Sequence, residues 1–290
     1  MNGQAHCKIC GSGDAPVRFL LYRGDVAVRR CRDCGFTFVD YRADEEHLVS
    51  SGHDLAGVPD AQPSAAAKWE RRLKIYAQYG GLSGKRLLDV GAGGGSWLAA
   101  ARAAGAEVFG TEFCGTCREY ARTQFELLLD THALDDAYWQ SRAGTFDVVT
   151  FWDVLEHVNE PREFLQQAAA MVCPGGRLML STPVRDTWFD RAGETAYRCT
   201  FGRAGFLLQQ RYTHTHLQIF HSQQLKSLLE EVGFRALYYR KVQELTMSLD
   251  RYFRNMYGET ARVKLLARCA AGLLHVAPLA NKVLGLFEKQ

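Results

Sequence analysis

Three groups of residues in this 290-residue chain carry reactive side chains at meaningful spacing. Cys7 and Cys10 are spaced C-x2-C, and so are Cys31 and Cys34. Two such turns offer four thiolates, the donor set of a tetrahedral zinc ion with no open position, so that metal would be structural. Gly11 and Gly35 directly follow the pairs, where a knuckle turn needs a flexible residue. The second group is "LLDVGAGGGSWL", where Asp89 precedes Gly91, Ala92, Gly93 and Gly95. Alternate glycines between a strand and a helix permit a tight turn and close approach of a ligand to the backbone, beside the partly positive helix N-terminus. The third is "WDVLEHV". Asp153, Glu156 and His157 share one face if helical. They would supply a general base, hold a divalent metal, or cap and orient the helix leading to Pro161. Three ligand-type residues in one turn are common by chance, which favours the capping reading over the metal.

The glycine loop lacks the features of two phosphate binders. A dinucleotide fingerprint needs glycine at its sixth place, which is Ser96, and no Lys-Ser/Thr follows. Glu112 ends the next strand and places a carboxylate where a ribose diol would lie. The site therefore fits an adenosine compound whose other end need not be a pyrophosphate. S-adenosylmethionine is such a compound, with its ribose on Glu112 and its methionine part over the loop near Asp89.

These groups need a scaffold. "APVRFLLYRGDVAVRR" reads as a β-hairpin between the cysteine pairs, and 41–63 reads as a polar linker. From residue 64 the pattern is helix, then apolar strands alternating with helices: "KRLLDVG", "AEVFGTE", "FDVVTFWDV" and "GRLMLSTP" are the strands. Such alternation predicts an α/β, Rossmann-like, doubly wound parallel sheet over 64–245. It places Trp152 and Asp153 at the carboxyl end of a strand, where open α/β sheets bind ligands. Residues 184–216 read as an irregular, aromatic- and arginine-rich lid. Residues 246–290 read as a helical extension broken at Pro278. Hydrophobic residues make up 47% of the chain, enough for one such core beside a ribbon over 1–40.

The quoted motifs, with "PGGRLMLSTP", stand in the order and spacing of the class I S-adenosylmethionine-dependent methyltransferases, which the chain resembles over roughly 82–242. Within that class it looks most like the group carrying "LEHV", which includes small-molecule O-, N- and C-methyltransferases. The resemblance implies that Asp89, Gly91, Gly93 and Glu112 bind the cofactor and that Phe113 packs near the adenine. "DTHAL", with Asp130, Thr131 and His132, stands where the adenine-binding loop belongs. It also implies that the segment with Trp152, Asp153 and His157 lies near the transferred methyl. "CKICGSG" and "CRDCGFTF" look like the zinc ribbon preceding many such enzymes. Zinc-ribbon sugar C-methyltransferases carry a Glu-His pair before an aromatic-Ser/Thr step, and the match here is Thr215-His216 before Phe220-His221-Ser222. His216 is kept and the carboxylate is not, so His216 would work at the methyl-acceptor site with His157 or would be bonded to backbone beneath the lid.

The expected activity is methyl transfer to a small-molecule acceptor such as a sugar or secondary metabolite. Arg198, Arg203 and Arg211 of the lid would take an anionic acceptor or stay solvated. The tail stripe Leu266, Cys269, Leu273, Ala277, Ala280, Leu284 and Phe287 would lie on a membrane surface, pack on the parent domain or meet a dimer partner. A net charge of +3 is too mild to argue for nucleic acid or membrane by itself. An RNA methyltransferase is the rival reading, disfavoured because the core lacks an Asn-Pro-Pro-aromatic motif. A noncatalytic ribbon scaffold is the other rival, and the intact glycine loop speaks against it. Nine cysteines, an odd number, and the lack of a signal-like or membrane-length apolar run make cytoplasmic location the expectation. Oligomeric state is left open by the sequence.

Overall fold

The structure, a computed structural model, describes residues 6–40, 63–209, 211–212, 216–244 and 280–290. The ribbon is a three-stranded antiparallel sheet of β1 (Val17–Leu21), β2 (Val26–Arg30) and β3 (Thr37–Val39), in that order. Phe19, Leu21, Val26 and Val28 point inward at strand period and are buried.

The core follows as α1 (Pro63–Ala77), β4 (Arg86–Val90), α2 (Ser96–Ala103), β5 (Glu107–Thr111), α3 (Gly115–Phe125), α4 (Ala137–Gln140), β6 (Phe146–Trp152), α5 (Pro161–Met171) and β7 (Val172–Pro183). After β7 come α6 (Trp188–Cys199), α7 (Phe206–Gln209), α8 (Ser222–Glu231), β8 (Phe234–Val242) and β9 (Lys282–Lys289). The six-stranded sheet has the order β5-β4-β6-β7-β9-β8. β5, β4, β6 and β7 run parallel, and β9 is antiparallel to both neighbours. Leu88, Val149 and Leu178 pack on one face of the sheet, and Leu87, Val148 and Met179 on the other. Burial on both faces is why these strands read as unbroken apolar runs.

Two sequence expectations are corrected. The tail is not helical over its described part: Lys282–Lys289 is β9, inserted between β7 and β8. Val283, Leu284, Leu286 and Phe287 are all buried, and a strand covered on both faces mimics the i, i+3 spacing of a buried helix. The core therefore does not end at residue 245. Residues 246–279, with Leu266, Cys269, Leu273 and Ala277 of the stripe, lie outside the described residues, as do 41–62 of the expected linker. The lid is also more regular than expected. Thr187 and Asp190 form a reciprocal capping box that starts α6, a start signal obscured by the surrounding arginines and aromatics.

Candidate active site

The glycine loop stands at the carboxyl end of β4. Gly91, Gly93 and Gly95 take φ values of 68, 55 and 81°, in the left-handed region. A Cβ on Gly91 would meet Val154 Cγ2 at 2.6 Å, and one on Gly95 would meet Leu127 Cδ1 at 3.0 Å. The N–H groups of Gly91 and Ala92 donate to Thr111 O at 2.9 and 3.0 Å, lacing the loop to the end of β5. Asp89 is buried and accepts from Thr150 Oγ1 at 2.6 Å. Glu112 accepts from Gly93 N–H and Cys114 N–H, both at 2.8 Å, so its carboxylate is fixed against the loop. Phe113 is 42% exposed beside it. His132 stands at the outer lip of this site, bonded through Nδ1 to Asp130 Oδ1 at 2.6 Å and stacked on Tyr138. Thr131 next to it is exposed. A side-chain-free loop, an adjacent carboxylate and aromatic edges fit an adenosine group with an aliphatic tail.

The other half of the site collects side chains from distant segments. Asp153 follows β6 with φ of 58°, and its N–H donates to Ser181 O at 2.8 Å. Its carboxylate accepts from Lys282 Nζ at 2.5 Å and from Ser181 Oγ at 3.2 Å. Burial alone would raise its pKa, but the Lys282 and Lys68 ammoniums outweigh that and hold it at about 2. A carboxyl so acidic is a poor proton acceptor at neutral pH, so the general-base reading of Asp153 does not fit. Glu156 is buried and accepts from Thr182 Oγ1 at 2.8 Å. Burial, then the Asp153 charge, push its pKa up to about 8. His157 and His216 meet edge to face with ring centroids 5.1 Å apart. Burial and then His157 push His216 down to about 3, so its imidazole is neutral. Its Nδ1 lies 3.2 Å from Arg211 O, and the tautomer donating there leaves Nε2 as the basic nitrogen. Donor atoms of Glu156, His157 and His216 lie within 4.8 Å of one another. Asp153 does not join them, so the trio expected from the sequence spacing is not assembled. Thr215 lies outside the described residues.

Sequence reasoning missed Lys68, Arg72 and Lys282. Arg72 is 1% exposed, with its guanidinium 4.0 Å from the Trp152 ring centroid and 4.6 Å from that of Trp69. Its Nη2 donates to Ser181 Oγ and Glu244 Oε2, both at 3.0 Å. Trp69 in turn donates Nε1–H to Ser96 Oγ at 2.6 Å, tying α1 to the glycine loop. The available signal was a cation inside the apolar stripe of α1, between Trp69 and Tyr76. Lys282 gave none, because its strand read as a helix. Of the lid arginines, Arg211 is bonded to Asp190 at 2.8 Å and braces the lid internally, while Arg198 lies 3.8 Å from Glu194.

In the ribbon, the Sγ atoms of Cys7 and Cys34 are 3.5 Å apart, and those of Cys10 and Cys31 are 3.6 Å apart. All four sulfur atoms lie within 4.8 Å of one another. Metal–sulfur bonds of about 2.3 Å at tetrahedral angles put sulfurs about 3.8 Å apart, close to these separations. Burial pushes the Cys7 thiol up to about 11, so the site disfavours a thiolate unless a cation shares it. Among the described residues, no helix is long and apolar enough to cross a membrane.

Residues 62–239 match the methyltransferase-domain family. The chain is 32% identical over 171 residues to a ubiquinone biosynthesis O-methyltransferase of Coxiella burnetii, covering 57% of this chain and 70% of that one. It is 30% identical over 168 residues to the protein of the same name from Aromatoleum aromaticum, covering 56% and 69%. Among solved structures, a methyltransferase-like protein from Bacillus halodurans superposes with a TM-score of 0.53 at 16% identity, over 76% of this chain and 99% of that one. Magnesium protoporphyrin IX methyltransferase from Synechocystis, solved with bound SAH, gives 0.50 at 16% identity, over 87% and 90%. The glycine loop and Glu112 stand within the matched span, and by that match the chain belongs to the class I S-adenosylmethionine-dependent methyltransferases.

Proposed function

We propose that this enzyme transfers the methyl group of S-adenosylmethionine to a hydroxyl oxygen of a small molecule, with His157 taking the hydroxyl proton. The observation that carries the reading is the His157–His216 pair beyond the carboxyl end of β6, the strand beside the one that leads into the glycine loop. His216 is too weakly basic at about 3 to be the proton acceptor. It serves as the neutral partner that orients His157, and a positioned imidazole suits general-base work. The cofactor, when bound, supplies an electrophilic methyl on a sulfonium. Gly91, Ala92, Gly93, Gly95 and Glu112 would hold it, Phe113, Thr131 and His132 would line its adenine end, and Asp89, Trp152 and Asp153 its methionine end. Arg72 and Lys68 supply cations for its carboxylate. An oxygen acceptor agrees with the name of the related ubiquinone biosynthesis O-methyltransferases. Labelled methyl transfer to a catechol such as 3,4-dihydroxybenzoate tests this. Label in the catechol, but not in its dimethoxy analogue, is the expected result, and label in neither contradicts it.

The four-thiol cluster is read as a structural zinc site on its sulfur separations. Cys31→Ser should lower bound zinc from one per chain toward none. A full zinc complement in that variant would reject the four-cysteine site.

A further inference from the structure

We propose that Gln218 is a positioning residue of the acceptor site, through which the cysteine ribbon sets the geometry of the His157–His216 pair. This rests on the reading of that pair as acceptor-side groups. Gln218 is fully buried, and its Nε2 donates to Leu155 O at 2.7 Å and to Val158 O at 2.8 Å. Those carbonyls bracket Glu156 and His157. The neighbouring Leu217 N–H donates to Glu156 O at 2.7 Å, so three bonds, to the carbonyls of Leu155, Glu156 and Val158, hold the turn that carries His157. His216 is the residue before Leu217. One short strap therefore carries one imidazole and grips the turn carrying the other.

The opposite edge of that strap belongs to the ribbon. Val39 N–H donates to Leu217 O at 2.8 Å, Ile219 N–H donates to Thr37 O at 3.4 Å, and Phe38 bridges Gln218 in antiparallel register. The strap thus extends the ribbon sheet beyond β3. β3 is anchored in turn at the cysteine knuckle, where Cys31 N–H donates to Phe36 O at 2.9 Å. Gln224 Nε2 donates to Cys34 O at 3.0 Å, fixing the same knuckle to α8. Phe36 packs against Phe220 at the far end of the strap, with ring centroids 5.0 Å apart and the rings tilted by 54°. Continuity from thiols to imidazoles is complete in hydrogen bonds and ring contacts.

The residue type matters. The turn after β6 has no regular ladder to occupy its carbonyls, and buried carbonyls need donors. An amide nitrogen offers two N–H groups in one plane without charge. A hydroxyl offers one, a carboxylate none, and a lysine would bring a buried charge.

The test uses the full chain with its zinc, and Gln218→Met, which keeps length and removes both donors. S-adenosylhomocysteine affinity should stay within about threefold, since the glycine loop is untouched. Turnover of the catechol should fall about tenfold to a hundredfold in kcat rather than KM, as expected for a misplaced catalytic group. The His216 ring, followed by NMR titration, should move up by about one pH unit or more as its burial loosens. Gln218→Asn, with the same donors on a shorter chain, should recover part of both readouts. If the methionine variant does not fold, the asparagine variant should still show lower kcat and a raised His216 titration. Unchanged kcat and unchanged His216 titration would overturn the proposal. So would a loss of S-adenosylhomocysteine binding as large as the loss of turnover, which would make Gln218 a general structural residue. If the wild-type chain moves no methyl group to the catechol, the functional reading fails, and the His216 titration alone decides the role of Gln218.

Discussion

The two halves of the site are built differently. The glycine-loop half comes from one stretch of chain, from Asp89 to Glu112, joined by bonds such as Gly93 N–H to Glu112. The acceptor half, which also takes the cofactor's methionine end, gathers Lys68, Arg72, Asp153, Glu156, His157, His216 and Lys282 from α1, the turn after β6, the strap and β9. The first half follows local rules of turn and helix start. The second exists only once the sheet has closed and β9 has inserted. The difference teaches that the cofactor half should fail locally when its backbone is blocked, whereas the acceptor half should fail through loss of tertiary support.

The largest effect expected is on the local half. Gly91→Val places a Cβ 2.6 Å from Val154 Cγ2 at a φ of 68°. Affinity for S-adenosylhomocysteine should fall at least about thousandfold, or about 4.1 kcal/mol, by calorimetry. Affinity within twofold of wild type would show that the loop is not the cofactor cradle.

Next comes the tertiary half. Lys282 and Asp153 form a pair whose side chains are 5% and 22% exposed. Lys282→Met takes the directly bonded cation from that carboxylate and should lower denaturant stability by about 3 kcal/mol. Lys282→Arg should retain most of it. A methionine variant as stable as wild type would mean that Asp153 does not depend on β9.

A smaller and pH-dependent effect is expected at Glu156. Its folded pKa is raised from 4.5 to about 8, so the folded chain binds this proton more tightly than the unfolded one. The associated stability is complete below pH 4.5 and is lost as pH rises through about 8, at no more than about 1.4 kcal/mol per pH unit. Chemical denaturation of Glu156→Gln across that range should lack this decline. An identical slope in variant and wild type would place the titration elsewhere. Smallest of all, Phe113→Ala should weaken S-adenosylhomocysteine binding by only a fewfold, because the ring is 42% exposed. No change at all would remove Phe113 from the cofactor site.

Legibility from sequence follows the same division. Glycine spacing, strand runs and the carboxylate at Glu112 are short-range signals, and the parallel part of the sheet was readable from them. The paired cysteines were readable for the same reason, since each knuckle is a local turn. Lys282 was not, because "KVLGLFEK" is apolar on both sides and its strand partners lie about a hundred residues upstream and forty upstream, at β7 and β8. Arg72 sits within the apolar stripe of α1, but only the packing of Trp69 and Trp152 around it shows that its charge is buried. Gln218 has no sequence signature, since its partners are carbonyls.

The account turns on His157 being the group that takes the proton and His216 its neutral partner. The most direct measurement is single-turnover methyl transfer to the catechol by His157→Ala and His216→Ala, with S-adenosylhomocysteine affinity measured on the same preparations. The account predicts that His157→Ala slows transfer by about 10²- to 10⁴-fold, that His216→Ala slows it less, and that both bind the cofactor product as wild type does. Wild-type transfer rates in both variants would contradict it.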